Sequence, residues 1–132
     1  MALITDKDDE LDVSEFGLTE LPPLRPTLIT LRCRDNQLTS LPPLPSMLRV
    51  LDCRRNKLTS LPPLPSTLCM LDCAGNALTS LPPLPPALHY LHYRDNPIVY
   101  PPPEVLKNDI PFIRKWMEEN PLTFVKSALK GV

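Results

Sequence analysis

Leucines return along this chain at a fixed interval of twenty residues. Leu28, Leu31 and Cys33 recur as Leu48, Leu51 and Cys53, then as Leu68, Leu71 and Cys73, then as Leu88, Leu91 and Tyr93. The alternation of apolar and polar positions around residues 31 and 33 predicts a short strand with one face turned inward. Equivalent strands are expected near 11–13, 31–33, 51–53, 71–73 and 91–93. Each meets its counterpart one turn on, so the sheet is parallel and the rest of the repeat supplies the crossover. A unit this small cannot enclose a core and must bury its apolar side against its neighbours. The expected architecture is a right-handed solenoid spanning residues 11–103, preceded by a short segment, 1–10, and closed by residues 104–132.

Other columns describe the remainder of one coil. Asn36, Asn56, Asn76 and Asn96 follow each strand at one offset. An asparagine can tie its amide to nearby backbone where the chain turns, and stacked turns let this bonding run from coil to coil. Leu38, Leu41 and Leu44, with their counterparts, fill the interior behind the sheet. Leu41-Pro-Pro-Leu-Pro45 and its repeats at 61–65 and 81–85 cannot be helical, because proline removes a donor and clashes with the preceding turn. They predict an extended, polyproline-like convex side. An isolated PPLP could serve as a ligand for an aromatic-lined module, but here the leucines are in phase with the buried columns.

The ends depart from the pattern, as terminal repeats do. Residues 11–24 form a degenerate first coil, with Val13 in the cysteine column and Phe16 in the asparagine column. The acidic run Asp6 to Glu10 reads as a solvated edge, with Leu3 and Ile4 available to cover the open end. Beyond Asn96, Pro103 opens a helical turn at Glu104–Lys107. Asp109 is a candidate N-cap for a second helix with Pro111 in its first turn. Ile110, Ile113, Trp116 and Met117 recur at helical spacing, and Arg114, Lys115, Glu118 and Glu119 take the opposite side. A final helix is expected over Leu122–Leu129. The physical task of this C-terminal helical cap is to cover the last coil.

The repeat LxxLxCxxNxLTxLPxLP resembles the short leucine-rich repeats of secreted bacterial effectors, and still more the leucine-rich proteins encoded by giant viruses of amoebae. The NPxxxPPPEV stretch, Asn96 to Val105, with the amphipathic segment behind it resembles the closing segment of many intracellular leucine-rich repeat proteins. The resemblance implies an α/β leucine-rich repeat fold and a protein-binding scaffold. It does not identify a partner, because a solenoid carries different binding faces on one frame. The effector relatives often add a helical hairpin and a ubiquitin-ligase domain with a catalytic cysteine; neither is expected within these 132 residues.

Composition narrows the function classes. A net charge of −1 exerts no overall pull toward nucleic acid or membrane. Nineteen prolines would ordinarily suggest disorder, but they fall at regular places between buried leucines. No basic region followed by a long apolar run begins the chain, so neither a signal peptide nor a membrane span is expected. Cys33, Cys53 and Cys73 occupy an inward column and Cys69 lies off it. Inward thiols behave as small hydrophobes and suit a reducing, cytoplasmic compartment, the host cytoplasm for an effector or viral protein.

Catalytic and metal chemistry find little to build on. His89 and His92 lie three apart across a strand and its approach, without the cysteine or carboxylate cluster of a zinc site. Cys69 and His89 fall one turn apart, yet no third group is placed to orient such a pair as a nucleophile. No cofactor is implied, and the chain is expected not to be an enzyme.

The candidate surface is the concave sheet, where residues alternate with the buried columns: Thr30, Arg32, Arg34, Val50, Asp52, Arg54, Met70, Asp72, Ala74, Tyr90, His92 and Arg94. Met70 and Tyr90 supply the apolar centre expected of a protein interface, with Arg34, Asp52, Arg54, Asp72, His92 and Arg94 around them. The alternatives are a structural or self-associating solenoid without a dedicated partner, and a nucleic-acid binder. Residues 21–60 hold seven basic and two acidic residues, whereas 1–20 hold one and seven. That makes the chain a charge dipole, and the aspartates among the arginines oppose phosphate binding.

Overall fold

The computed structural model describes residues 4–122, and the leucine ladder sets its order. Six strands form one sheet in sequence order: β1 (Thr5–Asp6), β2 (Glu10–Asp12), β3 (Thr30–Arg32), β4 (Val50–Asp52), β5 (Met70–Asp72) and β6 (Tyr90–His92). From β2 to β6 all pairs are parallel, and Leu11, Leu31, Leu51, Leu71 and Leu91 align in one register. Each strand begins one residue before its expected position. The ladder already opens at the residue ahead of the leucine, as where Thr30 N donates to Asp9 O. Leu28, Leu31 and Cys33, with their counterparts at 48–53 and 68–73, are almost wholly excluded from solvent.

Each coil leaves its strand through a residue in the left-handed region. Glu15, Asp35, Arg55, Gly75 and Asp95 all have φ between 55° and 67°. Only glycine adopts this without a side-chain penalty, and aspartate tolerates it better than most. The asparagine one position later fastens the turn. Asn56 accepts from Leu38 N at 3.0 Å and donates to Cys33 O and Cys53 O, both at 3.0 Å. Asn76 and Asn96 repeat the arrangement on the coils before them. Coils are therefore joined by asparagine to backbone, and each amide has its oxygen and nitrogen engaged there. The proline-rich stretches are extended, and each ends in a turn: Leu48 N donates to Pro45 O, Leu68 N to Pro65 O and Leu88 N to Pro85 O.

The N-terminal acidic run is exposed from Asp6 to Asp9, as a solvated edge would be, yet it is held to the first coil. Its first part is β1, paired antiparallel with β2. Arg25 draws it in, donating to the Asp6 carboxylate and to the carbonyls of Lys7 and Asp8. Thr27 Oγ1 donates to Asp8 O at 2.9 Å. The acids are thus held by backbone contacts that a charge count does not reveal. Ile4 stays exposed.

At the other end, α1 (Pro103–Leu106) and α2 (Ile110–Glu119) close the last coil. Asp109 caps α2, accepting from Phe112 N at 3.0 Å. Val105, Leu106, Ile113 and Met117 join the core. Tyr93, standing in the cysteine column, passes between sheet and lid and donates to Leu106 O at 2.9 Å. Tyr100 is buried and donates to Asn120 O at 2.7 Å, its ring 5.9 Å from that of Trp116. Arg114 does not face away: its Nη2 lies 3.4 Å from Pro86 O and 3.5 Å from Leu88 O, because the last coil leaves carbonyls with no further coil to donate to them. The helix expected from Leu122 onward falls outside the described residues after its first position.

Candidate functional site

Pleating sends every second strand residue to the concave face, and the fixed register stacks these residues in three rows. The first row is Thr30, Val50, Met70 and Tyr90. The second is Arg32, Asp52, Asp72 and His92, and the third is Arg34, Arg54, Ala74 and Arg94. Strands in a sheet lie about 4.8 Å apart, so side chains in a row touch their neighbours.

The first row is the apolar one. Met70 is 38% exposed and Tyr90 44% exposed, on β5 and β6 side by side. Met70 stands on a strand paired on both sides, and Tyr90 on the last strand, paired with β5. Together with Arg32, Arg34 and Val50 they line a shallow cavity of about 270 Å³.

The second and third rows form one chain of charge. Arg34 Nη1 lies 4.0 Å from Asp52 Oδ2, and Arg54 Nε lies 3.7 Å from Asp52 Oδ1. Arg54 Nη1 then reaches Asp72 Oδ2 at 3.3 Å, and His92 Nδ1 reaches Asp72 Oδ1 at 3.3 Å. Arg94 Nε donates to His92 Nε2 at 2.9 Å. His92 thus stands between the Asp72 carboxylate at Nδ1 and the Arg94 guanidinium at Nε2. Nearer the turn, Arg55 Nη1 pairs with Asp35 Oδ1 at 3.4 Å.

Two of the expected contact residues are not available as such. Asp52 and Asp72 are buried, at 9% and 8% exposure, and Ala74 is covered with them. The arginines of the next row fold over these carboxylates, and each carboxylate also turns back to its own strand end. Asp72 Oδ1 accepts from Ala74 N at 3.2 Å, Asp52 Oδ1 from Arg54 N at 3.5 Å, and Asp12 Oδ1 from Ser14 N at 3.1 Å. Burial pushes the Asp52 carboxyl upward, against the pull of Arg54 and Arg34. The aspartates are supports, and the outward surface consists of Met70, Tyr90 and the arginines. Arg34, Arg54 and His92 are half-buried and Arg94 is exposed.

The cysteine column is inert. Cys33, Cys53 and Cys73 are fully buried free thiols. Burial pushes Cys33 and Cys73 up to about 12 and Cys53 well above its ordinary value. Cys69 and His89 each turn toward a carbonyl two residues back, Thr67 O and Ala87 O, and not toward each other. Among the described residues no cluster of histidine, cysteine and carboxylate could hold a metal ion, and no helix is long and apolar enough to cross a membrane.

A second hollow, about 390 Å³, lies on the opposite side, between the proline segments and α2. Leu61, Leu81, Tyr100, Met117 and Leu122 line it. Sequence reasoning missed it; the available signal was Tyr100 in place of a repeat leucine.

A parallel-strand solenoid with an asparagine ladder, a proline-rich back and a short helical end is a leucine-rich repeat fold, and its repeats are leucine-rich repeats. Residues 26–66 match the family model of leucine rich repeats (2 copies). The leucine-rich repeat domain of a Shigella effector superposes with a TM-score of 0.66 at 39% identity, over 69% of this chain and 42% of that one. YopM from Yersinia enterocolitica gives 0.61 at 31% identity, over 67% of this chain and 25% of its own. YopM of Yersinia pestis, a leucine-rich effector protein, gives 0.53 at 33%, over 67% of this chain and 31% of its own. The chain thus spans less than half the length of these solved structures. All three are bacterial, so the resemblance to viral proteins gains no support from them. No curated protein matches the chain significantly.

Proposed function

We propose that this chain is a non-enzymatic protein-interaction module that engages a protein partner through its concave sheet, with Met70 and Tyr90 at the centre and Arg34, Arg54, His92 and Arg94 around them. The observation that carries this reading is the exposed apolar pair on adjacent strands inside an arginine border. Rigid strands hold these side chains, so little order has to be created on binding. Tyrosine buries ring area while its hydroxyl keeps a hydrogen bond. Leucine-rich repeat domains of the effector type are generally protein-interaction modules, which agrees with this use of the surface. Three cysteines kept as buried thiols favour action in a reducing compartment such as a host cytoplasm.

The test compares capture by wild type, by a Tyr90→Ala/Arg94→Ala double variant and by a Ser46→Arg/Ser66→Arg variant on the exposed back, all checked for unchanged melting. Proteins captured by wild type and by the back variant but lost from the concave variant support the reading. Equal capture by all three rejects the concave site.

A further inference from the structure

We infer that the occupant of the concave face is an acidic, apolar-bearing linear segment of a protein, which sets a carboxylate against Arg32 and Arg34 and an apolar side chain on Met70 and Tyr90. This rests on the concave reading above and adds the chemistry of the partner.

The charge balance of the face carries the argument. Four guanidinium groups, Arg32, Arg34, Arg54 and Arg94, stand among three carboxylates of the middle row: Asp12, which is Arg32's register partner and accepts from Ser14 N, and Asp52 and Asp72 farther along, with Asp35 beside Arg34 at the turn. Asp52 and Asp72 are buried and engaged: each accepts from its own strand end, Asp52 lies against Arg34 and Arg54, and Asp72 against Arg54 and His92. The cations are not spent to the same degree. Arg34 reaches carboxylates only at 3.7 and 4.0 Å, beyond hydrogen-bond distance. Arg94 is bonded to an imidazole and makes no ion pair with a carboxylate among the described residues. Arg32 makes no ion pair or side-chain hydrogen bond among the described residues, although it is half-buried at the wall of the 270 Å³ cavity. A guanidinium has five N–H donors and no acceptor, and its fork matches a carboxylate. The face therefore presents unspent positive donors beside the exposed apolar pair Met70 and Tyr90.

Geometry sets the spacing. Arg32 on β3 and Met70 on β5 are two strands apart, about 10 Å at the usual separation. An extended chain covers that distance in about three residues. The fitting segment carries Asp or Glu about three positions from a leucine, methionine or aromatic residue. A nucleic acid fits less well, because its affinity needs several phosphates neutralised together and carboxylates lie directly beneath these arginines.

The experiment is selection from a random dodecapeptide phage library on the folded chain, followed by fluorescence polarisation of the enriched peptides. The expected result is enrichment of Asp or Glu about three positions from an apolar residue. Changing that acid to its amide, or making Arg32→Ala/Arg34→Ala in the protein, should weaken binding about tenfold or more, as for loss of a charge-assisted hydrogen bond. Tyr90→Ala should weaken it independently; thermal melts confirm that the variants are folded. Peptides that lack acids yet depend on Tyr90 overturn the acidic occupant and leave the concave site standing. Peptides indifferent to Tyr90 and to both arginines overturn both readings. No enrichment overturns the linear segment, and displacement of the peptides by an oligothymidine at low salt overturns the choice of protein over nucleic acid.

Discussion

Replacing Asn56 with alanine should cost the solenoid about 2–4 kcal/mol, and the structure shows where that figure comes from. The side chain is buried and makes three bonds of 3.0 Å, one received from Leu38 N and two donated to Cys33 O and Cys53 O. The carbonyls do not become orphans when Asn56 is lost. Cys33 O still receives Asn36 Nδ2 at 3.0 Å, and Cys53 O still receives Asn76 Nδ2 at 3.1 Å. Leu38 N has no such second partner. A buried donor left unsatisfied costs about 1–3 kcal/mol, and each redundant bond adds a value at the low end of about 0.5–1.5 kcal/mol. In a chain whose total stability is of order 5–15 kcal/mol, the loss is large.

Urea unfolding followed by circular dichroism measures it, with the exposed neighbour changed as a control, Lys57→Ala. Asn56→Asp separates the two halves of the amide. It keeps an acceptor for Leu38 N but turns carboxylate oxygen toward two carbonyls, so it should be at least as harmful as alanine. An Asn56→Ala loss below about 0.5 kcal/mol, equal to the control, would refute the view that asparagine-to-backbone bridges hold the coils together. A well-tolerated Asn56→Asp would refute the assignment of the donor half.

The left-handed position gives a second test: Gly75→Ala should cost about 1–2 kcal/mol, while Arg55→Gly should be neutral or stabilising by up to about 1 kcal/mol in the same urea assay. Iodoacetamide should label Cys69 first and reach Cys33, Cys53 and Cys73 only on unfolding, as read by intact mass. Those buried thiols keep their protons to about 12 for Cys33 and Cys73, whereas unfolded cysteine ionises near 8.5. Between the two, the native state binds more protons, so stability should fall as pH rises, by up to about 1.4 kcal/mol per pH unit for each cysteine, and Cys53→Ala should lessen the slope. Tyr100→Phe should lose about 0.5–1.5 kcal/mol with its bond to Asn120, and half-buried Trp116→Ala about 1–3 kcal/mol; unchanged melting in both would show that α2 does not cap the core. Asp72→Ala should destabilise more than Met70→Ala, because only the aspartate is tied to a strand end.

The parts of this molecule that repeat were legible in its sequence because repetition turns one residue into a column. Leu31, Cys33, Asn36 and Leu41 each predict a position only when seen beside their counterparts at twenty-residue steps. The Asp109 cap and the Pro103 helix start were legible for a different reason, since they follow local chemistry. What escaped were contacts between columns. Arg25 holding the acidic run, Arg114 turning to Pro86 O and Leu88 O, and Asp52 and Asp72 sinking beneath arginines all depend on distances across coils. Strand alternation says which face a side chain leaves from; it does not say whether a longer neighbour then covers it. For that reason Met70 and Tyr90 read correctly as exposed and the two aspartates did not.

The same distinction explains how one frame can carry a binding face. Backbone bonding between coils is completed by the strand ladder and the asparagines, neither of which uses the side chains of Met70, Tyr90, Arg34 and Arg94. Those side chains can change without orphaning a backbone group. The row between them is different, since Asp12, Asp52 and Asp72 each receive a strand-end N–H. At Arg32 and His92 the aspartate is replaced, and the side chain is released from that duty. Arg32 then carries no ion pair among the described residues, while His92 bridges Asp72 to Arg94. Under the proposed concave reading, the two positions where the supporting aspartate is missing are the two where the middle row would meet a partner.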